Sequence, residues 1–399
     1  MPTTAMNSMI YLDNAAATRI DSRVLAAMQE HYENTWGNAG ALHSEGIAAR
    51  TVVSEARATI AACIGSRADD LTFTSGGTEA NNLAIIGTVE RLLDEGKRYE
   101  ELHLITTTIE HSSVLDCMRR LESRGASITY VPVDAEGFVD KDALVDALRP
   151  NTALVSIILA HNEIGTIQDM HALTRLIRTH ASSDSTPCIH TDASQAPAWM
   201  RCEPNTLGVD LMTLDAQKMY GPKGVGALFH APQATPAPVL VGGGTAEHPR
   251  PGTPPVALLT GFAKALEIVE TERSTYVDRI RTIRDTAITS LQNDIPQAHL
   301  NGATGTSRLT NNINFSFPGL DGEEIVLRLD AAGIAASTRS ACLTSATPGS
   351  YVVQALGKGD ASAISAVRLS LARTTTEAEM QEAVATLTMV VQRLSTQTP

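Results

Sequence analysis

The chain has 399 residues, a length typical of two or three domains. Hydrophobic residues make up 43% of it and charged residues 19%, which indicates a globular protein rather than a disordered or coiled-coil one. The net charge of −13 and an aromatic content of only 4% argue against direct binding to nucleic acid or to anionic membranes. No apolar run approaches the length of a membrane span, and residues 1–9 lack a secretion signal. The five cysteines include no CxxC pair, so we expect a reducing compartment, namely the cytoplasm.

Short apolar strands alternate with longer amphipathic helices between about residue 60 and residue 230. This alternation predicts an α/β fold with a mostly parallel sheet and helices on both faces. Seven strands are predicted: Leu71–Thr74, His103–Thr107, Ser127–Val133, Ala153–Leu159, Cys188–Asp192, Leu211–Leu214 and Val225–Phe229. The helices predicted between them are Glu79–Leu93, Ser113–Ser123, Lys141–Leu148 and Ala172–His180. In such a sheet, ligands bind beyond the carboxyl ends of the strands.

The C-terminal half has a different pattern. After a Pro/Gly-rich stretch at Gly242–Pro255, a long helix is predicted from Val256 to about Leu291. Further strands are predicted at Asn312–Phe317, Ile334–Ser337 and Ala366–Leu371, with helices at Gly322–Ala332, Ser350–Leu356 and Glu377–Leu394. We therefore expect a large domain over residues 15–260. Residues 1–14 and 261–399 would form a smaller α+β domain.

Two glycines, Gly76 and Gly77, follow the first strand and precede a helix that starts near Thr78. Glycine leaves backbone N–H groups open and a helix N-terminus favours an anion, so this turn is a candidate phosphate cradle. An ordinary turn capped by Thr78 would explain the same residues. The stretch matches neither the dinucleotide glycine fingerprint nor the P-loop, which disfavours a nicotinamide dehydrogenase.

Three polar residues follow strands of the same sheet. His111 could stack on a flat cofactor and move protons near neutral pH, although a structural histidine would look the same. Asp192 ends an apolar strand, where its partner could be a protonated pyridine nitrogen or a helix N-terminus. Lys218 precedes a Gly/Pro-rich loop and could form a Schiff base, whereas an isolated lysine is usually a surface residue. The separation of 26 residues from Asp192 to Lys218 covers one crossover and a neighbouring strand, so both side chains can face one site.

Two further candidates lie near the C-terminus. Cys342 stands in a hydroxyl-rich stretch of small residues that is typical of a mobile loop, where a thiol can ionise, or where a cysteine can be incidental. Arg368 lies inside a predicted strand, and a buried arginine needs an anion such as a substrate carboxylate. No metal site is predicted.

Taken together, the motifs resemble the NifS/IscS-type cysteine desulfurases, which are pyridoxal-phosphate-dependent enzymes of the class V aminotransferase group with fold type I. The similarity extends from about residue 11 to Arg373, with the motifs in the family's order and spacing. The matching pieces are Tyr11–Thr18, Gly37–Asn38, Ser75–Glu79, Glu110–His111, Asn162–Gly165, Thr191–Gln195, Lys218–Gly224, Gly242–Gly244, Arg250, Gly252–Thr253, Ser340–Cys342 and Arg368.

The resemblance implies a role for each matched position around pyridoxal 5'-phosphate. Lys218 would bind the cofactor covalently, Asp192 would keep its pyridine nitrogen protonated, and Gln195 would hydrogen-bond its phenolic oxygen. His111 would stack on the ring and move protons. The residues implied to contact the cofactor phosphate or its surroundings are Gly77, Thr78, Gln217 and Asn162, together with Thr253 from the partner subunit of a homodimer.

The resemblance also implies the substrate and the reaction. Arg368 would bind the carboxylate of L-cysteine, assisted by Asn162 and Asn14. The Cys342 thiolate would take the sulfur as a persulfide, leaving L-alanine, and would pass it to a protein acceptor such as an iron–sulfur scaffold or a tRNA-thiolation protein. Alternatives within this reading are a related lyase or aminotransferase, including selenocysteine lyase, and a non-catalytic scaffold homologue in a sulfur-transfer complex.

The chain departs from the family pattern at several positions. Asp215 and Gln217 stand where the family usually has Ser and His, which donate hydrogen bonds to the phosphate. An ionised Asp215 would repel the phosphate unless it turns away or pairs with a base, whereas Gln217 can still donate. Arg339 stands where Gly is common and could lower the pKa of Cys342 or stiffen its loop. The residues after Gly244 also differ from the usual Gln-Glu.

Overall fold

The computed structural model describes residues 9–181, 186–243, 249–338 and 349–396. Its centre is a seven-stranded sheet in the order β2-β8-β7-β6-β5-β3-β4. The strands are β2 (Leu71–Thr74), β3 (His103–Thr107), β4 (Ser127–Val131), β5 (Thr152–Ser156), β6 (Cys188–Asp192), β7 (Leu211–Asp215) and β8 (Gly226–His230). This confirms the predicted mostly parallel sheet, although β5 ends at Ser156, three residues earlier than predicted.

Strands β3 to β7 run parallel, and only β8 pairs antiparallel with its neighbours β2 and β7. The parallel strands β3, β6 and β7 are buried on almost every residue, as expected for a sheet covered on both faces. Their carboxyl ends therefore meet at one edge. Asp192 is the last residue of β6 and Asp215 is the last residue of β7, so both carboxylates reach that edge.

The helices that cover the sheet follow its strands. They are α3 (Gly77–Asp94), α4 (Ser112–Glu122), α5 (Lys141–Ala147), α6 (Met170–His180) and α7 (Pro204–Leu207). Helix α3 contacts α4 as well as strands β2, β5, β6, β7 and β8. It thereby crosses the face of the sheet and places its N-terminus at the edge where the strands end.

Two helices precede the region in which the sequence predicted regular structure. They are α1 (Ser22–Asn34) and α2 (Ser44–Cys63), and both pack on the long helix α8 (Val256–Asp294). The side chain of Asp21 accepts a hydrogen bond from the Arg23 N–H and caps α1, a signal that was present in the sequence. Within the described residues, no helix combines the length and apolarity needed to cross a membrane.

The C-terminal half forms a second, small sheet. Its strands β9 (His299–Leu300), β10 (Asn312–Ser316) and β12 (Ala366–Ser370) are antiparallel, with β10 in the middle. The helices of this half are α9 (Gly322–Ala331), α10 (Tyr351–Ala355), α11 (Gly359–Ile364) and α12 (Glu377–Ser395). Near the N-terminus, β1 (Ile10–Tyr11) pairs in parallel with β11 (Ile334–Ala335), so the N-terminal segment packs on this half, next to β12.

Candidate active site

A polar cavity lies beyond the carboxyl ends of β6 and β7, at the N-terminus of α3. Segments from distant parts of the chain close it, including the N-terminal segment and β12. The residues that line it are Ala15, Ala16, Gly77, Thr78, Asn81, His111, Ser113, Ile158, Asn162, Asp192, Ser194, Gln195, Asp215, Gln217, Lys218 and Arg368. The fold therefore brings together nine of the twelve predicted site residues, from Gly77 to Arg368, and it also places Asp215 in the lining.

The Gly76–Gly77 turn forms one end of the cavity. Gly76 has φ of 147°, a conformation that side chains rarely permit, and it leads directly into α3. A methyl group built on Gly77 would lie 3.1 Å from Ser194 Oγ and 3.2 Å from Asp215 Oδ2, so a side chain here would crowd both. The bare backbone of this turn and the helix N-terminus suit an anion.

Asp215 and Gln217 lie on the opposite wall of this end. Asp215 Oδ1 accepts a hydrogen bond from the Gln217 backbone N–H at 3.2 Å, and Asp215 Oδ2 accepts one from Gln217 Nε2 at 3.0 Å. The side chain of Asp215 has not turned away from the cavity, and its partner is an amide rather than a basic group. Both residues therefore line the end of the cavity that the Gly76–Gly77 turn forms, where an anion would bind.

Asp192 is buried, with its carboxylate held by hydrogen bonds from two directions. Ser194 N–H donates to Oδ1 at 2.9 Å, and Asn81 Nδ2 donates to Oδ2 at 2.8 Å. Asn81 lies one helical turn after Gly77, which places both on the same face of α3. Asn81 Oδ1 is buried and has no hydrogen-bond partner within the described part of the chain, so this amide still has an acceptor that a bound group could use.

Lys218 and Gln195 meet at the backbone of the N-terminal segment. Lys218 Nζ lies 2.9 Å from Ala15 O and 2.5 Å from Ala16 O, and Gln195 Nε2 donates to Ala15 O at 2.9 Å. Lys218 follows β7 after a single 3₁₀ turn, so its side chain is half-buried beside the strand end. Both groups are thus held within the cavity by contacts that a ligand could replace.

His111 caps the N-terminus of α4 and lines the cavity. Its Nδ1 accepts the Ser113 backbone N–H at 3.2 Å and lies 2.8 Å from Ser113 Oγ, which fixes the orientation of the imidazole ring. The neighbouring Glu110 is fully buried, and burial raises the pKa of its carboxyl group to about 8, although hydrogen bonds from Thr107 and from the Ile158 N–H oppose the shift.

Arg368 enters the cavity from β12 and is only 1% exposed. Its NH2 group donates to Asp13 Oδ1 at 2.6 Å, and its NH1 group donates to Asn162 O at 3.2 Å. Arg368 Nε is buried and has no hydrogen-bond partner among the described residues. Nε and NH2 share one edge of the guanidinium group, so a carboxylate in the cavity could satisfy the orphaned donor.

Three residues singled out from the sequence are not among the described residues that line the cavity. Asn14 is buried but does not line the cavity, and its amide donates to the backbone oxygens of Tyr11 and Ser370. Thr253 is exposed and also lies outside the lining. Cys342 falls outside the described residues, as does Arg339.

The sequence reasoning missed several residues that the fold adds. Asn81 and Ser194 hold Asp192, and Asp13 pairs with Arg368. The four-residue spacing from Gly77 could have indicated Asn81, because helix α3 starts there. The pair between Asp13 and Arg368 had no local signal, since 355 residues separate the two.

The donors and acceptors of this cavity fit pyridoxal phosphate. A bare helix N-terminus suits the phosphate, a buried carboxylate suits a protonated ring nitrogen, and a half-buried lysine suits the aldehyde. Asn81 Oδ1 and Arg368 Nε, which belong to two lining residues, are buried and lack hydrogen-bond partners within the described chain. Asp215, whose carboxylate lies beside this helix N-terminus, is a lining group that an anionic phosphate would not favour.

Comparison with known proteins identifies the family. The model of the class-V aminotransferases matches residues 10–382. A protein named cysteine desulfurase IscS from Dictyoglomus turgidum is 39% identical over 394 residues, which cover 99% of this chain and 97% of that protein. A solved structure described as a NifS-like protein aligns with a TM-score of 0.87 and 32% identity, over 97% of this chain and all of that one.

A second solved structure, described as SspA in complex with cysteine, has a TM-score of 0.78 and 30% identity over 92% of this chain and all of that chain. The family model thus includes every segment that lines the cavity, and the relative and both structures each cover at least 92% of this chain. This chain belongs to the class-V aminotransferase family, among the cysteine desulfurases of the IscS and NifS type.

Proposed function

We propose that this protein is a pyridoxal-phosphate-dependent cysteine desulfurase, which converts L-cysteine to L-alanine and transfers the sulfur to a protein acceptor. The observation that carries the proposal is a single cavity lined by Lys218, Asp192, His111 and Arg368. These are the groups needed to attach the cofactor, to keep its ring electron-withdrawing, to move protons and to bind an amino-acid carboxylate. The cysteine complex of the neighbour SspA supports the same substrate.

Residues on three walls would hold the cofactor. The N–H groups of Gly77 and Thr78 at the start of α3 would bind its phosphate, with Gln217 and Ser194 beside them. Asp192 would hold the ring nitrogen protonated, because a buried carboxylate favours a cation next to it. His111 would pack against the ring, and Gln195 would hydrogen-bond its phenolic oxygen. The bound cofactor supplies an electron sink for the substrate's α-carbon.

Arg368 and Asn162 would position the substrate. The orphaned Nε and the adjacent NH2 group of Arg368 would bind the carboxylate of L-cysteine side-on. Asp13 and the Asn162 backbone oxygen hold the guanidinium group in place, so less side-chain freedom is lost on binding. The same buried setting makes this contact strong, because water does not compete for it.

Lys218 would remove the proton from the α-carbon. Its Nζ lies within hydrogen-bond distance of Ala15 O and Ala16 O, and these two backbone oxygens would orient the amine for this proton transfer. His111 would move the proton that finally converts the substrate carbon to the methyl group of alanine, and the Ser113 backbone N–H at its Nδ1 would orient the ring for this transfer.

Cys342 would be the sulfur acceptor of the enzyme itself. Its thiolate would form an S–S bond with the substrate sulfur while the C–S bond breaks, and the electron pair of that bond would remain with the substrate carbon, which is then protonated to give alanine. The four described cysteines are poorly suited, since burial raises the pKa of Cys63 to about 11 and those of Cys117 and Cys202 to about 12, and also raises that of Cys188. None of the four lines the cavity.

A homodimer would complete the site. Thr253, which is exposed here, would reach the phosphate in the partner subunit. Several large apolar side chains between the start of α1 and the start of α2 are also exposed, as expected of an interface: Leu25, Tyr32, Trp36, Leu42 and Ile47. The final sulfur acceptor would be another protein. An iron–sulfur scaffold and a tRNA-thiolation protein are both compatible with transfer of sulfur from a Cys342 persulfide. A reducing cytoplasm would suit the turnover of that persulfide.

The decisive experiment is incubation of the cofactor-loaded protein with L-cysteine, with alanine and sulfide measured together. We expect equal amounts of both in the presence of a reductant, and a persulfide on the protein without it. Cys342→Ser should keep the visible cofactor band but lose both products, whereas Lys218→Ala should lose the band as well. Pyruvate and ammonia instead of alanine would indicate a β-eliminating lyase. A wild type that binds no cofactor would indicate a scaffold, and a strong preference for selenocysteine would indicate a selenocysteine lyase.

A further inference from the structure

Asp215 places a negative charge where the cofactor phosphate would bind. Its Oδ2 lies 3.2 Å from the position of a methyl group built on Gly77, the first residue of α3, and the same point lies 3.1 Å from Ser194 Oγ. The N-terminus of α3, the Ser194 hydroxyl and the Asp215 carboxylate therefore meet at one end of the cavity. This inference rests on the proposed use of pyridoxal phosphate.

The hydrogen bonds of Asp215 do not neutralise this charge. Both of them come from the neutral amides of Gln217, its backbone N–H and its Nε2. In the part of the chain that the structure describes, no Lys, Arg or His hydrogen-bonds to this carboxylate. The side chain is only 6% exposed, so solvent screens its charge poorly.

The surrounding charged groups leave the phosphate end acidic. Asp192 on the neighbouring strand β6 and Glu79 in the first turn of α3 are both negative, and Arg250 is already paired with Glu79 at 3.0 Å. Among the described residues, the other charged or titratable groups that line the cavity are Lys218, whose Nζ contacts the backbone oxygens of residues 15 and 16, His111 and Arg368. The dipole of α3 favours one anion at its N-terminus, but here a carboxylate and a phosphate would share that position.

Two anionic groups in contact at a buried site bind a proton between them, since the like charge of each disfavours ionisation of the other. A phosphate monoester has a second pKa near 6, so the free cofactor carries a dianionic phosphate at pH 8. We propose that binding of the cofactor takes up one proton from solvent, which Asp215 and the phosphate then share. The affinity of this protein for pyridoxal phosphate accordingly falls as the pH rises.

The test compares pyridoxal phosphate with pyridoxal, which lacks the phosphate, on the cofactor-free full-length protein. Wild type and Asp215→Asn are titrated from pH 7 to pH 9 by the visible absorption band, and proton uptake is measured by calorimetry in buffers with different ionisation enthalpies. With pyridoxal phosphate at pH 8, we expect wild type to take up about one proton more than Asp215→Asn. Between pH 7 and pH 9, the affinity of wild type should fall about tenfold per pH unit relative to the variant.

Pyridoxal is the matched control, because proton exchange at Lys218 is common to both ligands. With pyridoxal, wild type and Asp215→Asn should take up the same number of protons on binding, and their affinities should change with pH in the same way. Asp215→Ser provides a second variant in case Asp215→Asn does not fold. Equal proton uptake and equal slopes with pyridoxal phosphate would overturn this inference while leaving the proposed desulfurase intact. A wild type that binds neither ligand would overturn both.

Discussion

Glu110 is the most deeply buried carboxyl group beside the candidate site. Its Oε1 accepts hydrogen bonds from Thr107 Oγ1 at 2.7 Å and from the Ile158 N–H at 2.9 Å, while its Oε2 is buried without a partner among the described residues. Burial raises its pKa to about 8, so the folded protein keeps this group neutral over most of the physiological range. A neutral Glu110 adds no second negative charge near Asp192.

This raised pKa predicts a pH dependence of stability. Between the ordinary value of 4.5 and about 8, the folded state holds the Glu110 proton more tightly than the unfolded chain does, so the free energy of unfolding falls as the pH rises through this window. Each unit of pKa difference corresponds to about 1.4 kcal/mol. The glutamine in Glu110→Gln cannot ionise, so the variant does not lose this stability at high pH. We therefore expect the melting temperature of the variant minus that of wild type to be larger at pH 9 than at pH 5. Thermal melting at both pH values measures this.

Glu122→Gln is the matched control, since Glu122 is exposed at the end of α4. Its melting temperature should follow that of wild type at both pH values. A Glu110→Gln variant whose difference from wild type is the same at pH 5 and at pH 9 would contradict a neutral, buried Glu110.

At the scale of elements, the site depends on how closely β8 approaches the start of α3. A methyl group built on Gly226, the first residue of β8, would lie 2.6 Å from Leu214 O and 2.9 Å from the Cα of Gly76. Both neighbours are backbone atoms, which cannot rotate away as a side chain would. The packing of β8 thus helps to hold the Gly76–Gly77 turn in its conformation.

Gly226→Ala is therefore expected to displace this turn. We predict a loss of stability of about 1–3 kcal/mol, typical of overpacking, together with weaker binding of pyridoxal phosphate. Chemical denaturation and a cofactor titration measure the two effects. Gly243→Ala is the control, because nothing lies within 4 Å of a methyl group there. Equal cofactor affinity in both variants would show that β8 does not support the turn.

The elements differ in how well the sequence predicts them. Strands β3, β6 and β7 were predicted almost to the residue, because each is a short apolar run followed by polar residues. Helices α1 and α2 were missed, since α2 is rich in alanine and has only a weak polar–apolar alternation along its 20 residues. Their packing on α8 is what decides their position, and this contact spans about 200 residues of sequence.

At the scale of the whole molecule, the exposed apolar side chains of the N-terminal region predict an assembly. Leu42 is 88% exposed and Trp36 is 73% exposed, values that are unusual for large apolar residues in a monomer. If these residues form the proposed dimer interface, the wild type should have twice the chain mass of 42.3 kDa in solution. Leu42→Asp should shift the population toward the monomer in sedimentation or light-scattering measurements.

Leu327→Asp serves as the control, because Leu327 is 69% exposed on α9, far from this region in the sequence. That variant should remain dimeric. A monomeric wild type at micromolar concentration would contradict the dimer, and a Leu42→Asp variant that stays dimeric would place the interface elsewhere. The division of the chain into two domains is a separate point. The predicted boundary near residue 260 lies just inside α8, and the division remains a prediction.

The sequence alone determined the fold class and several of the residues that meet in the cavity, and the family resemblance added others such as Asn162, Gln195 and Gln217. Strand ends, glycine turns and the residues after them are local features, and in a parallel sheet their order along the chain places them at one edge. His111, Asp192 and Lys218 could therefore be expected at one site before any coordinates were seen.

Only the tertiary structure decided the partner of each polar group. Asp13 pairs with Arg368 across 355 residues, Asn14 turns its amide to the backbone, and Asp215 stays at the Gly76–Gly77 end of the cavity, where its side chain has only Gln217 as a partner among the described residues. Hydrogen bonds and ion pairs act over a few ångströms and can join any two parts of a chain, so sequence spacing does not specify them. They depend on how the small sheet, the N-terminal segment and the large sheet pack together.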